Sequence, residues 1–146
     1  MLGRYIPLAG RQLRKIAAYK AVYIGGTDES GGIILNASNP YYHNGENGNI
    51  GTADNNSTGA NATFEESTGT LTLNGLNINA ESEGISWWFN ENGAHDLKII
   101  LSGGSTNTIT SSSIGIRSYN GNPGNGPSLI IEGSGTLNVT GNESGI

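Results

Sequence analysis

A Gly-Ile pair returns three times in the second half of the chain, at Gly84-Ile85, Gly115-Ile116 and Gly145-Ile146, with steps of 31 and 30 residues. A second apolar position, Ile78, Ile109 and Val139, keeps the same steps. Two landmarks with one period define a repeat, and a unit of this length can bury its apolar face only against neighbouring units. Each unit reads as strand, glycine turn, strand, turn, short strand. The first runs through Leu71-Thr72-Leu73, Leu76-Asn77-Ile78 and Gly84-Ile85; the second through Leu97 to Leu101, Asn107 to Ile109 and Gly115-Ile116. The third uses Leu129 to Ile131, Leu137 to Val139 and Gly145-Ile146. Apolar residues alternate with Thr, Asn or Lys, as in strands with one buried face.

Strands this short build a continuous aliphatic core when equivalent strands stack in parallel, roughly 4.8 Å apart. The fold expected is therefore all-β, a single-stranded parallel β-helix over residues 21–146. Glycines are expected to supply positive φ at its corners. The insertions Trp87 to Asp96 and Tyr119 to Pro127 are expected to leave the corners as loops. A β-sandwich also has many short strands, but it gives no reason for two positions to share one period.

Composition agrees with turn-rich β structure. Glycine (24), asparagine (19), serine (15) and threonine (12) supply nearly half of the 146 residues. Charged residues are 13%, against roughly a quarter in ordinary soluble domains. There is no cysteine, so disulfides, thiol nucleophiles and cysteine metal sites are excluded. No apolar run approaches the ~18 residues of a membrane-spanning helix. Beyond residue 20 only Lys98 and Arg117 are basic against all 12 acids, a net charge of about −10. Such a body is a poor partner for nucleic acid, which needs a basic face.

Residues 1–20 differ from the rest. Five of the seven basic residues fall there, and Leu13, Ile16, Ala17 and Lys20 keep helical spacing. A short helix from about Leu8 to Tyr19 is expected, either capping one open end of the array or marking a mis-called start. Arg11 to Lys15 interrupt the place where a signal peptide would carry its apolar region. Ala21 to Ile24, Ile33 to Leu35 and Ala62 to Phe64 read as strands, and Ser67 to Gly69 as a turn. Asn36 to Asn61 shows almost no apolar periodicity and reads as a long loop, of the kind that is usually functional or mobile.

The phrases TFEESTGTLTLNGLNI (Thr63 to Ile78), DLKIILSGGSTNTITSSSIGI (Asp96 to Ile116) and SLIIEGSGTLNVTG (Ser128 to Gly141) resemble secreted bacterial right-handed parallel β-helix proteins described as carbohydrate-binding. Some of these bind pectic polysaccharide such as polygalacturonate. The resemblance covers about Val22 to Ile146 and rests on scaffold phrases, so it transfers no sugar-contacting residue. It implies a non-catalytic, secreted or cell-surface, glycan-binding or adhesive role, and is compatible with calcium as a cofactor. The chain stops at Gly145-Ile146 where another unit would continue. A partial array is therefore expected, with strand edges open to end-to-end self-association.

Catalysis on a β-helix needs clustered carboxylates, usually with a basic residue. The three aspartates, Asp28, Asp54 and Asp96, belong to different regions. His43 and His95 have no adjacent partner that suggests a nucleophile or a metal ligand. No enzyme is expected. Two aromatic clusters are the candidate sugar platforms: Trp87 and Trp88 after the first Gly-Ile landmark, and Tyr41 and Tyr42 in the long loop. Alternate members of a strand face the core, so packing competes with ligand contact at all four. Glu81, Glu83, Glu91 and Asp96 crowd the loops of the first repeat and form the candidate calcium set.

The function expected is thus an extracellular polysaccharide-binding module without catalytic residues. The alternatives are an adhesin-type repeat protein without a sugar pocket and, third, a fragment of a pectate-lyase-like enzyme. An acidic glycan would meet a body of like charge and need bridging calcium.

Overall fold

The computed structural model describes residues 20–89, 96–119 and 128–146. Among these residues the chain is all-β, with one single-turn 3-10 helix at Glu46–Gly48. The helix expected at Leu8 to Tyr19 lies outside the described residues.

Thirteen strands run in order: β1 (Lys20–Ile24), β2 (Ile33–Leu35), β3 (Tyr41–His43), β4 (Thr52–Asp54), β5 (Ala62–Glu65), β6 (Thr70–Leu73), β7 (Asn77–Ala80), β8 (Ile85–Phe89), β9 (Leu97–Leu101), β10 (Thr106–Ser111), β11 (Ile116–Ser118), β12 (Leu129–Gly133) and β13 (Thr136–Gly141). They form three sheets, ordered β11-β8-β1-β2, β13-β10-β7 and β12-β9-β6-β5-β3-β4.

The repeat maps onto these sheets unit by unit. The first unit supplies β6, β7 and β8, the second β9, β10 and β11, and the third β12 and β13, one strand to a sheet. Equivalent strands pair in parallel, with Leu71 beside Ile99 and Ile99 beside Ile131. Ile78, Ile109 and Val139, the second sequence landmark, stand side by side across β7, β10 and β13. Ile85 stands beside Ile116. The shared period is therefore the length of chain that returns a side chain to its own place one strand over.

The first 50 described residues follow another rule. β1 joins β8 and β2 antiparallel, and β5 joins β6 antiparallel before β3 and β4 extend that sheet. Parallel stacking is confined to β6 through β13, a narrower span than residues 21–146. Local sequence cannot show this, because pairing direction is chosen by distant partners.

Two expected loops are corrected. Asn36 to Asn61 contains β3, β4 and the 3-10 turn. Both strands are very short and only Tyr42 of β3 is buried, so no alternation betrays them. Asparagine side chains then fix the path: Asn61 Oδ1 accepts from Asn44 N–H at 2.9 Å, and Asn44 donates to the Gly75 carbonyl at 2.8 Å. The second correction is Trp87, which does not open a loop. Trp87, Trp88 and Phe89 continue β8, held by Val22, Ala21 and Lys20 of β1. Residues 90–95 and 120–127 of the two insertions lie outside the described residues.

The recurring glycines also need a different reason. Gly75 sits at a corner with φ +80°, the conformation that favours glycine. Gly84 and Gly115 are outside that region and are required for close approach. A Cβ on Gly84 would collide with the Ile109 methyl Cγ2 and lie 2.6 Å from the Gly115 carbonyl oxygen. One on Gly115 would collide with Val139 Cγ1 and the Gly145 carbonyl. The two sequence landmarks thus touch: the β-branched residue of one unit fills the space left by the glycine of the unit before.

The core runs through the first two units. Leu71, Leu73, Ile78, Ile85, Leu97, Ile99 and Ile109 are fully buried, with Val22, Ile24 and Phe64 closing it from the antiparallel strands. Phe64 and Phe89 stack with ring centroids 6.2 Å apart. Burial declines in the third unit, where Leu129, Leu137 and Val139 are half-buried and Ile131 is exposed.

Candidate functional site

β8 sorts its side chains to two faces. Ile85, Trp87 and Phe89 enter the core, and Ser86 and Trp88 stand on the outer face of the β11-β8-β1-β2 sheet. Antiparallel pairing sets Tyr23 of β1 opposite Ser86, and Ile34 of β2 opposite Tyr23. Parallel pairing sets Arg117 of β11 on the other side of Ser86. Tyr119 follows β11, its N–H donating to the Trp87 carbonyl at 3.1 Å. Three aromatic residues from three chain segments, Tyr23, Trp88 and Tyr119, are thereby gathered on one face.

The β1–β2 turn makes the rim. Ser86 Oγ, fully buried, donates to the Gly26 carbonyl at 2.8 Å and ties the turn to the sheet. Ser30 Oγ accepts from Thr27 N–H at 2.7 Å, and Thr27 Oγ1 accepts from the Glu29 and Ser30 N–H groups at 3.2 Å. This closed turn brings Asp28 and Glu29 to the same cleft as the aromatic residues. The result is a cleft of about 330 Å³ lined by Tyr23, Ser86, Trp87, Trp88 and Tyr119 below and by Thr27, Asp28 and Glu29 at the rim.

One wall is fixed by a buried carboxylate. Glu83 is 5% exposed. Its Oε1 accepts hydrogen bonds from the Tyr119 hydroxyl and from Arg117 Nη1, the latter at 3.4 Å, and its Oε2 accepts from Ser82 Oγ. The Arg117 guanidinium lies 4.6 Å from the centre of the Tyr119 ring. Burial raises the Glu83 pKa, but the Ser82, Tyr119 and backbone hydrogen bonds and the Arg117 charge outweigh it and hold the carboxyl below its ordinary value. The Tyr119 phenol is pushed up to about 12, by burial first and then by the Glu83 hydrogen bond and charge. Tyr119 therefore stays neutral and keeps its hydroxyl on Glu83, which orients the ring.

The sequence candidates fall at different places. Trp88, 41% exposed, belongs to the cleft; Trp87, 3% exposed, contributes mainly to the core beneath it. Tyr42 is fully buried, its hydroxyl accepting from Gly51 N–H at 2.7 Å. Burial pushes its phenol above the ordinary value against that opposing hydrogen bond. Tyr41 is half-buried in β3, in another sheet from Trp88. The four aromatic residues are not one platform.

The carboxylates also separate. Glu81 is exposed in the turn after β7, Glu83 serves Tyr119 and Arg117, and Asp96 accepts from Ser128 N–H at 2.7 Å, tying β12 to β9. Glu91 lies outside the described residues. Among the described residues no three His, Asp or Glu side chains converge as a metal cage would require. His43 Nε2 meets Asp54 Oδ1 at 3.0 Å and the Asn56 carbonyl at 3.1 Å, on exposed ground away from the cleft.

Tyr23, Tyr119, Asp28 and Glu29 were not singled out by sequence. A signal for Tyr119 exists: it lies four residues after Gly115, as Trp88 lies four after Gly84. The period thus carries an aromatic residue on the outer face in two successive units. Tyr23 and the rim have no such marker, because they reach the cleft through antiparallel pairing. Comparison with protein-family models, curated proteins and solved structures finds no match to this chain.

The chemistry offered by the cleft is recognition. Ring faces pack on apolar C–H surfaces, and the rim carboxylates accept hydrogen bonds from hydroxyl or ammonium groups.

Proposed function

We propose that this chain is a non-catalytic carbohydrate-binding module on a short right-handed parallel β-helix, working outside the cell. The observation that carries the reading is the cleft that Trp88, Tyr23 and Tyr119 line together with Asp28 and Glu29. A pyranose has apolar C–H faces and a hydroxyl edge, and it fits such a floor and rim. Sequence phrases that resemble carbohydrate-binding β-helix proteins support the same reading, as does the parallel stacking of β6 through β13.

Trp88 is the principal contact in this proposal and Tyr119 the second, held in place by Glu83. Trp87 supports Trp88 from the core side. The test is a glycan array probed with the full chain and with Trp88→Ala. Retention of a defined set of oligosaccharides by the wild type, lost in the variant, supports the module. Retention of no glycan by the wild type overturns it in favour of an adhesive or purely structural repeat.

Calcium enters the proposal only for acidic polysaccharide. The carboxylate rim repels a polyanion unless a divalent cation bridges the two. Binding of polygalacturonate, where found, is expected to vanish in chelator; undiminished binding would remove calcium from the account.

A further inference from the structure

The joint between units is one set of contacts used twice. Gly84 and Ile85 N–H donate to the Ile114 and Gly115 carbonyls at 3.1 and 2.8 Å. Gly115 and Ile116 N–H donate in the same way to the Ser144 and Gly145 carbonyls, both at 2.9 Å. The Ile109 methyl Cγ2 fills the space beside Gly84, and Val139 Cγ1 fills the space beside Gly115. Gly145 and Ile146 present the same set a third time. Among the described residues their N–H groups meet no acceptor. A Cβ on Gly145 would touch only the Val139 carbonyl oxygen, at 3.4 Å, an ordinary contact. Beside that space lies an open groove of about 630 Å³ lined by Leu101, Ile131, Leu137, Val139, Gly145 and Ile146. Ile131 is 39% exposed and Ile146 63%.

The other edge of the same stack is closed. Asn44 Oδ1 accepts from Asn77 N–H at 3.0 Å on β7, and a Cβ on Gly48 would collide with the Asn79 amide. A second folded copy therefore brings no bare β7 edge to stack on β13.

We infer that the outer edge of the third unit, from β12 to Ile146, is a docking surface for a strand-turn-strand segment of the repeat's own chemistry. The segment lies parallel to β12 and β13, as each unit lies on the one before. Its carbonyls accept from Gly145 and Ile146 N–H, a Val or Ile enters the space beside Gly145, and its apolar residues cover Ile131 and Leu137. Main-chain pairing supplies affinity, and the glycine space supplies selection for a β-branched side chain. The inference continues an interface already present twice in the fold and is independent of the carbohydrate reading.

The experiment titrates the full chain into a fluorescent synthetic peptide with the sequence of the second unit, Leu97 to Ile116, and reads anisotropy. Saturable binding is expected. Gly145→Val fills the space and should weaken binding about tenfold, the worth of one buried β-branched side chain. Its thermal melt should match the wild type, because Gly145 lies outside the positive-φ region and has room for a Cβ. The peptide carrying Ile109→Ala should be weakened by a similar factor, and this arm needs no variant of the protein to fold. Bound peptide should also slow hydrogen exchange at Gly145, Ile146 and β13. Absence of saturable binding to the wild type overturns the inference, as does binding that neither substitution weakens. Dimerisation of the wild type that Gly145→Val abolishes would give the edge to a second copy and overturn the choice of partner.

Discussion

Asn107 shows how much one polar side chain contributes to this fold. It is fully buried, yet its Oδ1 accepts from Gly75 N–H and Leu76 N–H, both at 2.9 Å, while its Nδ2 donates to Ser105 Oγ at 3.0 Å and the Thr136 carbonyl at 3.1 Å. One amide therefore joins three consecutive units. Asn107→Ala leaves buried donors without an acceptor and is expected to cost about 2–4 kcal/mol, read as a lower urea midpoint at unchanged slope. Gly115→Ala should cost about 1–3 kcal/mol or more by overpacking against Val139 and the Gly145 carbonyl. Glu83 makes a pH prediction. Its folded pKa is depressed, so its contribution is present above the ordinary carboxylate value and is lost as pH falls through the folded value. Tyr119 is raised, so its contribution is complete below the ordinary phenol value of 10.0 and is lost as pH climbs through about 12. In Glu83→Gln, ultraviolet titration should show the latest phenolate transition moving back toward the ordinary value, and the acid arm of the stability curve should flatten. A titration identical to wild type would remove Glu83 as the group that holds Tyr119.

Among the elements, β8 divides structure from function most sharply. Its two tryptophans are adjacent in sequence and opposite in space, because successive strand residues point to opposite faces. Trp87→Ala empties core volume and should destabilise the fold by about 3–5 kcal/mol. Trp88→Ala changes an exposed ring and should shift stability by no more than about 0.5 kcal/mol, while glycan retention is lost. Thermal melts and binding measured on both variants check the division, and a large loss of stability in Trp88→Ala would contradict it. The same alternation was legible in advance as a competition between packing and contact. Which tryptophan faces outward follows from Ile85 only once the strand is known to continue to Phe89, and pairing with Val22, Ala21 and Lys20 of β1 is what carries it on. Tyr41 and Tyr42 behave alike: β3 buries the second ring because β4 and β5 flank it, a pairing absent from the local pattern.

Across the whole molecule, burial is graded. The second unit has a neighbour on each side, whereas β12 and β13 of the third pair on one side, with β9 and β10, among the described residues. Repeat stability is close to a sum of unit and interface terms, so the third unit should open first. Hydrogen exchange is expected to be slowest in β6, β7, β9 and β10 and fastest in β12 and β13. Equal protection in β10 and β13 would contradict the graded reading. The cleft lies away from this soft region, with four of its eight lining residues on β1 and β8, whose pairing with each other is antiparallel and continuous from Lys20 to Ile24. The proposed binding cleft thus rests on the well-packed half of the molecule.

The sequence by itself determined the period, the all-β character and the places of the strands from β6 to β13, except that it ended β8 at Ile85 instead of Phe89. These follow from short-range causes: alternation of apolar and polar residues, and turn chemistry at the corners. It also determined which residues stack, because two landmarks of one period, such as Ile78 and Ile109, must meet when the units are laid side by side. Only the tertiary structure decided the antiparallel joining of β1 to β5, the strands inside Asn36 to Asn61, and the close approach that makes Gly84 and Gly115 necessary. It alone brought the turn of Asp28 and Glu29 into one cleft with Trp88, aided by a hydrogen bond between residues 60 apart, Ser86 and Gly26. The physical reason is range. Local patterns fix what a segment can become, and the choice of distant partner fixes what it faces.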